Sequence, residues 1–218
     1  MPQDHGRAAY GAVRADAGTT GDANAAGHRC VRADVHVVAD LDLVVELDAV
    51  FDHGWDVERE QRLSRQIAMG LVPADTQLPD RNDGVRPWDS YPAEERRLFT
   101  RLQSAFAAML DHADQHLARL VDFLERAGLR DDTLILVMSD NGASQEGGPQ
   151  GFVNAMGPFN MRPESMAEKI ARIDDIGGPD THSNFPQGWA MASNTPLRRY
   201  KQNTHGGGIR DPLVISWP

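Results

Sequence analysis

The 218-residue sequence predicts an α/β fold, and three observations carry that prediction. A long run with helical apolar spacing, Pro92 to Gly128, leads directly to a short and almost wholly apolar segment, TLILVM, from Thr133 to Met138. A second apolar segment, PLVISW, lies at Pro212 to Trp217. Helix followed by strand is the alternation from which layered α/β domains are built.

Each element follows from local chemistry. Residues 1 to about 29 are rich in Ala, Gly and Asp, show no apolar period, and read as disordered. From Val35 to Leu47, apolar residues fall on alternate positions (Val35, Val37, Leu41, Leu43, Val45, Leu47), which predicts a strand. A short helix is the alternative, because Asp and Glu are poor strand formers. Asp56 is placed to cap a helix running through Leu63 and Ile67 to a stop at Gly70. Pro73, Pro79, Asn82, Gly84 and Pro87 then mark a loop.

The clearest helix begins at Pro92, with Glu94 and Glu95 in its first turn. Leu98, Leu102, Phe106, Met109, Ala113, Leu117, Leu120 and Leu124 recur three or four apart, and Gly128 ends the run. Its Asp111, His112, Asp114 and His116 read as a solvated face rather than a metal site. TLILVM fits a strand buried on both faces, as in a parallel sheet. Pro163 to Ile173 predicts a further helix, Gly177 to Thr195 a loop, and PLVISW a final strand. A sheet needs neighbours, so the remainder of the domain is expected outside these residues.

Composition narrows the function classes. Lys and Arg number 22 against 32 Asp and Glu, a net charge of −10, which disfavours nucleic-acid partners and offers no basic patch to an anionic membrane. Cys30 is alone and forms no internal disulfide. MPQDHGRAAYGAV has no apolar core of signal-peptide length, and no apolar run approaches the ~20 residues of a membrane span. As written, the chain is expected to be soluble and cytoplasmic.

Four residues are candidates for chemistry. Asp140 and Asn141 follow directly on TLILVM, and ligand sites in open α/β sheets lie beyond the carboxyl ends of strands. A carboxylate and an amide oxygen there suit a hard cation. The alternative is an Asn-Gly hairpin turn, although GASQEGGPQG is a poor second strand. Lys201 precedes a glycine-rich segment and can act as a point charge on an anion, or lie as a surface lysine before a flexible loop. His205 is an acid/base, an anion ligand or a polar loop residue. His182 and Cys30 read as structural or inert.

Together these segments resemble the arylsulfatase-type sulfatases. TLILVMSDNGASQEGG (Thr133 to Gly148) is similar to the metal-binding strand and turn of that family, and NTPLRRYKQNTHGGGIRDPLVISWP (Asn194 to Pro218) to its catalytic-lysine segment. FDHGWDVEREQRLSRQIAMGLVPADTQLP, WDSYPAEERRLF and GGPDTHSNFPQGWAMAS resemble the connecting parts, so the likeness runs from about Phe51 to Pro218. It implies part of an alkaline-phosphatase-like sandwich, with a mixed sheet flanked by helices. Asp140 and Asn141 would be ligands to one calcium ion, Lys201 would contact the sulfate group, and His205 would support it.

The family's nucleophile is a hydrated formylglycine made from cysteine in a Cys-x-Pro-x-Arg motif. Cys30 is followed by Val31, Arg32, Ala33 and Asp34, so formylglycine is not expected there. The family's early pair of calcium-binding aspartates also has no match. Residues 1–50 therefore read as disordered or out of family, and residues 51–218 as a partial catalytic domain. The expected function is hydrolysis of a small sulfate ester, with the N-terminal part of the same domain as the missing partner. The alternatives are a non-catalytic fragment, or a phosphodiesterase or phosphonate hydrolase of the same superfamily.

Overall fold

The structure is a computed structural model describing residues 41–217. All of them fall in one unit, 36–218. Readings that fall on residues 1–40, including Cys30 and the first half of the segment from Val35 to Leu47, lie outside the described residues.

The first described element is a helix, α1 (Leu41–Phe51), not the strand that alternation predicts. Its buried residues are Val44 and Phe51, with Leu47 partly buried between them. That spacing is helical. Asp48, on the same face, accepts from Arg101 Nε and Nη2 at 2.9 and 2.8 Å. The Arg101 side chain is 8% exposed, so this ion pair is largely shielded from water. Helix α1 thus joins the fold ahead of Phe51, where the sequence predicts the domain to begin.

Helix α2 spans Gly54–Ala68. Asp56 does not cap it. One of its carboxylate oxygens accepts from the Trp88 backbone N–H at 2.9 Å and the other from Arg81 Nη2 at 2.9 Å, which pins the following loop to the helix. Gly70 (φ 69°) ends α2, with bonds from Gly70 N–H to Ile67 O and from Leu71 N–H to Gln66 O. This is the paired closure that a left-handed residue permits. Gly128 (φ 67°) ends α3 (Ala93–Arg126) in the same way, and Pro92 precedes the first helical residue as predicted.

Only the first half of α3 is buried. Leu98, Phe99, Leu102, Ala105 and Ala108 face the core, whereas Leu110, Leu120 and Phe123 are exposed. At the centre stands Trp55, 1% exposed, with ring centroids of Trp88, Tyr91, Phe99 and Trp189 between 4.7 and 5.9 Å away. Two of the indoles also satisfy their N–H groups, Trp55 on Arg86 O (3.2 Å) and Trp189 on Phe99 O (2.9 Å).

After α3 come β1 (Ile135–Met138), α4 (Met156–Phe159), α5 (Met166–Ala171), α6 (Gln187–Ser193), α7 (Gly206–Ile209) and β2 (Leu213–Ser216). Ser165 caps α5 with a reciprocal Glu168 contact, and this pair holds the Glu168 carboxyl below its usual range. Lys169 donates to Gly151 O at 2.8 Å, and burial lowers its pKa against the raising effect of Glu164 and Glu95. Helix α6 falls within the predicted loop, because its Trp189, Ala190, Met191 and Ala192 are all buried.

Both predicted apolar strands form, and the α/β class holds. The pairing differs from the expectation of a mixed sheet with β1 covered on both faces. Among the described residues the sheet has two antiparallel strands, with Ile135 opposite Ser216 and Met138 opposite Leu213. Both strands are largely exposed, Met138 at 70% and the neighbouring Trp217 at 73%. No described layer covers either face. No described helix is long and apolar enough to cross a membrane.

Candidate active site

The two sequence motifs meet. Strand β1 delivers the chain to Asp140, and the turn that follows lies against the segment carrying Lys201. Gly142 N–H donates to Gly208 O (3.3 Å), and Lys201 N–H donates to Ala143 O (3.0 Å). The approach excludes side chains at three glycines. A Cβ on Gly142 would lie 1.7 Å from Gly207 O, one on Gly207 2.0 Å from Arg199 O, and one on Gly208 2.1 Å from Asn203 O. Of the glycine triplet only Gly206 has room, with nothing nearer than the Leu197 side chain at 3.5 Å. The Asn-Gly turn is not a hairpin, since β1 pairs with β2 about eighty residues later in the chain.

Asn194 staples the junction. Its Oδ1 accepts from Ala143 N–H at 3.1 Å, and its Nδ2 donates to Arg199 O at 3.1 Å and Gly207 O at 2.8 Å. One amide therefore bonds to both segments. Arg199 is held at φ 68°, unusual for a non-glycine residue, with its N–H on Asn82 Oδ1 (3.3 Å). Beside it the Tyr200 hydroxyl is buried, and burial raises its pKa. Asn194→Ala removes all three bonds and strands two carbonyls and an N–H. At about 1 kcal/mol per bond the expected loss is ~3 kcal/mol, read as a lower urea midpoint at unchanged slope.

The predicted residues take different situations. Asp140 is exposed and makes no hydrogen bond or ion pair in the structure. Asn141 Nδ2 donates to Gly142 O at 3.3 Å. Lys201 Nζ donates to Glu146 Oε2 at 3.1 Å. His205 is exposed and caps the glycine segment, its Nδ1 accepting from Gly206 N–H at 2.9 Å. That bond uses the unprotonated nitrogen and leaves only Nε2 for other work. The His182 backbone pairs with Val153 and Ala155, and its side chain is exposed, in keeping with a structural role. The rings of His112 and His116 lie 4.5 Å apart, tilted by 58°, on the exposed part of α3.

The residues present do not complete a calcium site. No group of three or more His, Cys, Asp or Glu side chains converges among the described residues. Asp140 and Asn141 supply two or three oxygens where calcium takes roughly 6–8.

Sequence alone missed Asn194, Glu146, Ser144 and Gln202. All four lie within or beside the two motifs, and proximity to those motifs was the available signal.

Known proteins are similar to this chain across both motifs. An uncharacterized sulfatase of Schizosaccharomyces pombe is 30% identical over 170 residues, which is 77% of this chain and 29% of that protein. An arylsulfatase of Klebsiella aerogenes is 27% identical over 169 residues, 77% of this chain and 34% of its own length. The chain therefore spans about a third of the length of these curated relatives. A Sulfatase family model matches residues 48–218, through both motifs and the helices between them, and the chain belongs to the sulfatase family.

Proposed function

We propose that this chain carries the lysine and metal-ligand part of an arylsulfatase-type site that hydrolyses sulfate esters. The observation supporting this is the junction itself. Asn194 bonds to the Asp140–Ala143 turn and to the segment around Lys201, so the two sets of polar groups are held at one place.

The division of labour follows from charge. A sulfate ester brings negative charge on its free oxygens, and more develops at the bridging oxygen as the S–O bond breaks. Lys201 places an ammonium group against those oxygens, an electrostatic contribution that needs little reorganisation when it is held in advance. Asp140 and Asn141 are the ligands that this chain would offer to calcium, which neutralises sulfate charge when bound. His205, with Nδ1 occupied by Gly206 N–H, can donate from Nε2 to an anion. The attacking oxygen in this family comes from hydrated formylglycine. The only cysteine, Cys30, lacks the flanking Pro and Arg, so the nucleophile must come from outside these 218 residues. Loss of a nucleophile costs about 10⁴–10⁶ in rate, and the chain alone is expected to give no measurable turnover.

The test is a chimera. Residues 48–218 replace the matching part of the Klebsiella arylsulfatase, whose remaining part supplies the rest of the domain. The chimera is expected to hydrolyse 4-nitrophenyl sulfate in preference to bis(4-nitrophenyl) phosphate. A folded chimera that prefers the phosphodiester would move the assignment to that substrate class, and one inert to both would leave the chain a non-catalytic relative.

A further inference from the structure

Glu146, the partner of Lys201, gathers more donors than a surface carboxylate usually does. Besides Lys201 Nζ at 3.1 Å, its Oε2 accepts from Ser144 Oγ at 3.2 Å, and its Oε1 accepts from Gln202 Nε2 at 3.4 Å. An ammonium, a hydroxyl and an amide N–H thus converge on one anionic group.

The direction of each donor is dictated by its neighbours. Ser144 Oγ already accepts from Glu146 N–H (3.2 Å) and from Asn184 Nδ2 (3.0 Å). A hydroxyl has two lone pairs and one hydrogen, so that hydrogen is left for the carboxylate. Gln202 Oε1 accepts from Gln145 Nε2 (3.1 Å), and Gln145 Oε1 accepts from Gln187 Nε2 (3.0 Å). An ionised carboxylate only accepts, so each amide in the row from Gln187 on α6 must present its NH₂ toward Glu146. The backbone adds a further constraint, because Gln202 stands at φ 72°, a conformation that non-glycine residues seldom adopt. Such strain persists where surrounding contacts over-determine it.

We propose that this cluster is an anion-binding set occupied by the protein's own carboxylate. Glu146 takes the place of the substrate's sulfate group. When sulfate binds, Glu146 swings out, and Ser144 Oγ and Gln202 Nε2 donate to sulfate oxygens beside Lys201. The inference rests on the reading that Lys201 meets sulfate, and it adds two contacts and a competitor to that reading. Displacement is feasible because both partners of the ion pair are about one-third exposed, 32% for Lys201 and 33% for Glu146, and such pairs are weak.

Isothermal titration of the 218-residue chain with sodium sulfate at constant ionic strength tests it. Glu146→Gln is expected to bind sulfate about fivefold more tightly than the parent, the factor expected from releasing an exposed ion pair. Ser144→Ala in the Glu146→Gln background should give back part of that gain, and Lys201→Met should abolish binding in either background. Glu146→Ala serves as a second probe should Glu146→Gln lose its far-UV circular dichroism. If Lys201→Met abolishes binding but neither Glu146 variant tightens it, the inference fails while the role of Lys201 stands. If sulfate binds equally well without Lys201, the underlying reading fails too. Glu146 variants that bind no sulfate at all overturn the inference.

Discussion

Trp55→Ala is expected to destabilise the protein by about 3–5 kcal/mol, the range for truncating a large buried aromatic. Trp55 is 1% exposed, and four aromatic rings pack on it at centroid distances from 4.7 to 5.9 Å, three of them edge-on. Those contacts would face a void after truncation, and Arg86 O would lose its indole donor. The site has little capacity to collapse. On one side Gly188 presses its backbone to the indole, such that a Cβ there would sit 2.4 Å from a Trp55 ring carbon. On the other, α2 is held in place by Asp56 through the Trp88 N–H and Arg81. With typical domain stabilities of about 5–15 kcal/mol, the loss is a large fraction of the whole. Urea unfolding followed by far-UV circular dichroism measures it. Trp55→Phe, which keeps most of the volume, should lose less. A Trp55→Ala penalty below about 1 kcal/mol would mean that this cluster is not the centre of the fold.

Lys201→Ala in the chimera is the second large effect. The expected fall in kcat/KM is about 10²–10³-fold, equivalent to ~2.7–4 kcal/mol of lost transition-state stabilisation, as for removal of a single preorganised charge-stabilising donor. Stability should barely change, because the Lys201 side chain makes one partly exposed ion pair, while its backbone N–H keeps the bond to Ala143 O. Activity and melting should therefore separate. Lys201→Arg is expected to restore little, since a planar guanidinium cannot replace a compact ammonium in a space shaped by Ser144, Glu146 and Gln202. A Lys201→Ala chimera as active as its parent would remove Lys201 from the chemistry.

Much of the secondary structure was legible before any fold was known. Helix α3 declared both its ends, Pro92 at the start and Gly128 at φ 67° at the stop, because capping depends on residues within one turn. The strands β1 and β2 were visible as short apolar runs. What they pair with was not visible, since pairing joins residues about eighty positions apart. Helix α1 matches the helical alternative and not the strand that alternation predicts, for a related reason. Val35 to Leu47 does alternate, but the packing of Val44 and Phe51 and the Asp48–Arg101 pair, 53 residues apart, favour the helix from Leu41. Short-range pattern yields to long-range burial where the two disagree.

By itself the sequence determined the α/β class, the ends of the long helices, the family, and the candidates Asp140, Asn141, Lys201 and His205. These are local properties, written in residue type and spacing. Only the tertiary structure decided that Asn194 staples the two motifs, that Gly142, Gly207 and Gly208 must lack side chains, and that Lys201 and Gln202 converge with Ser144 on Glu146. The contacts of Asn194 with Ala143 and of Lys201 and Gln202 with Glu146 join residues more than fifty positions apart, so their geometry comes into being only when the core around Trp55 brings the segments within reach.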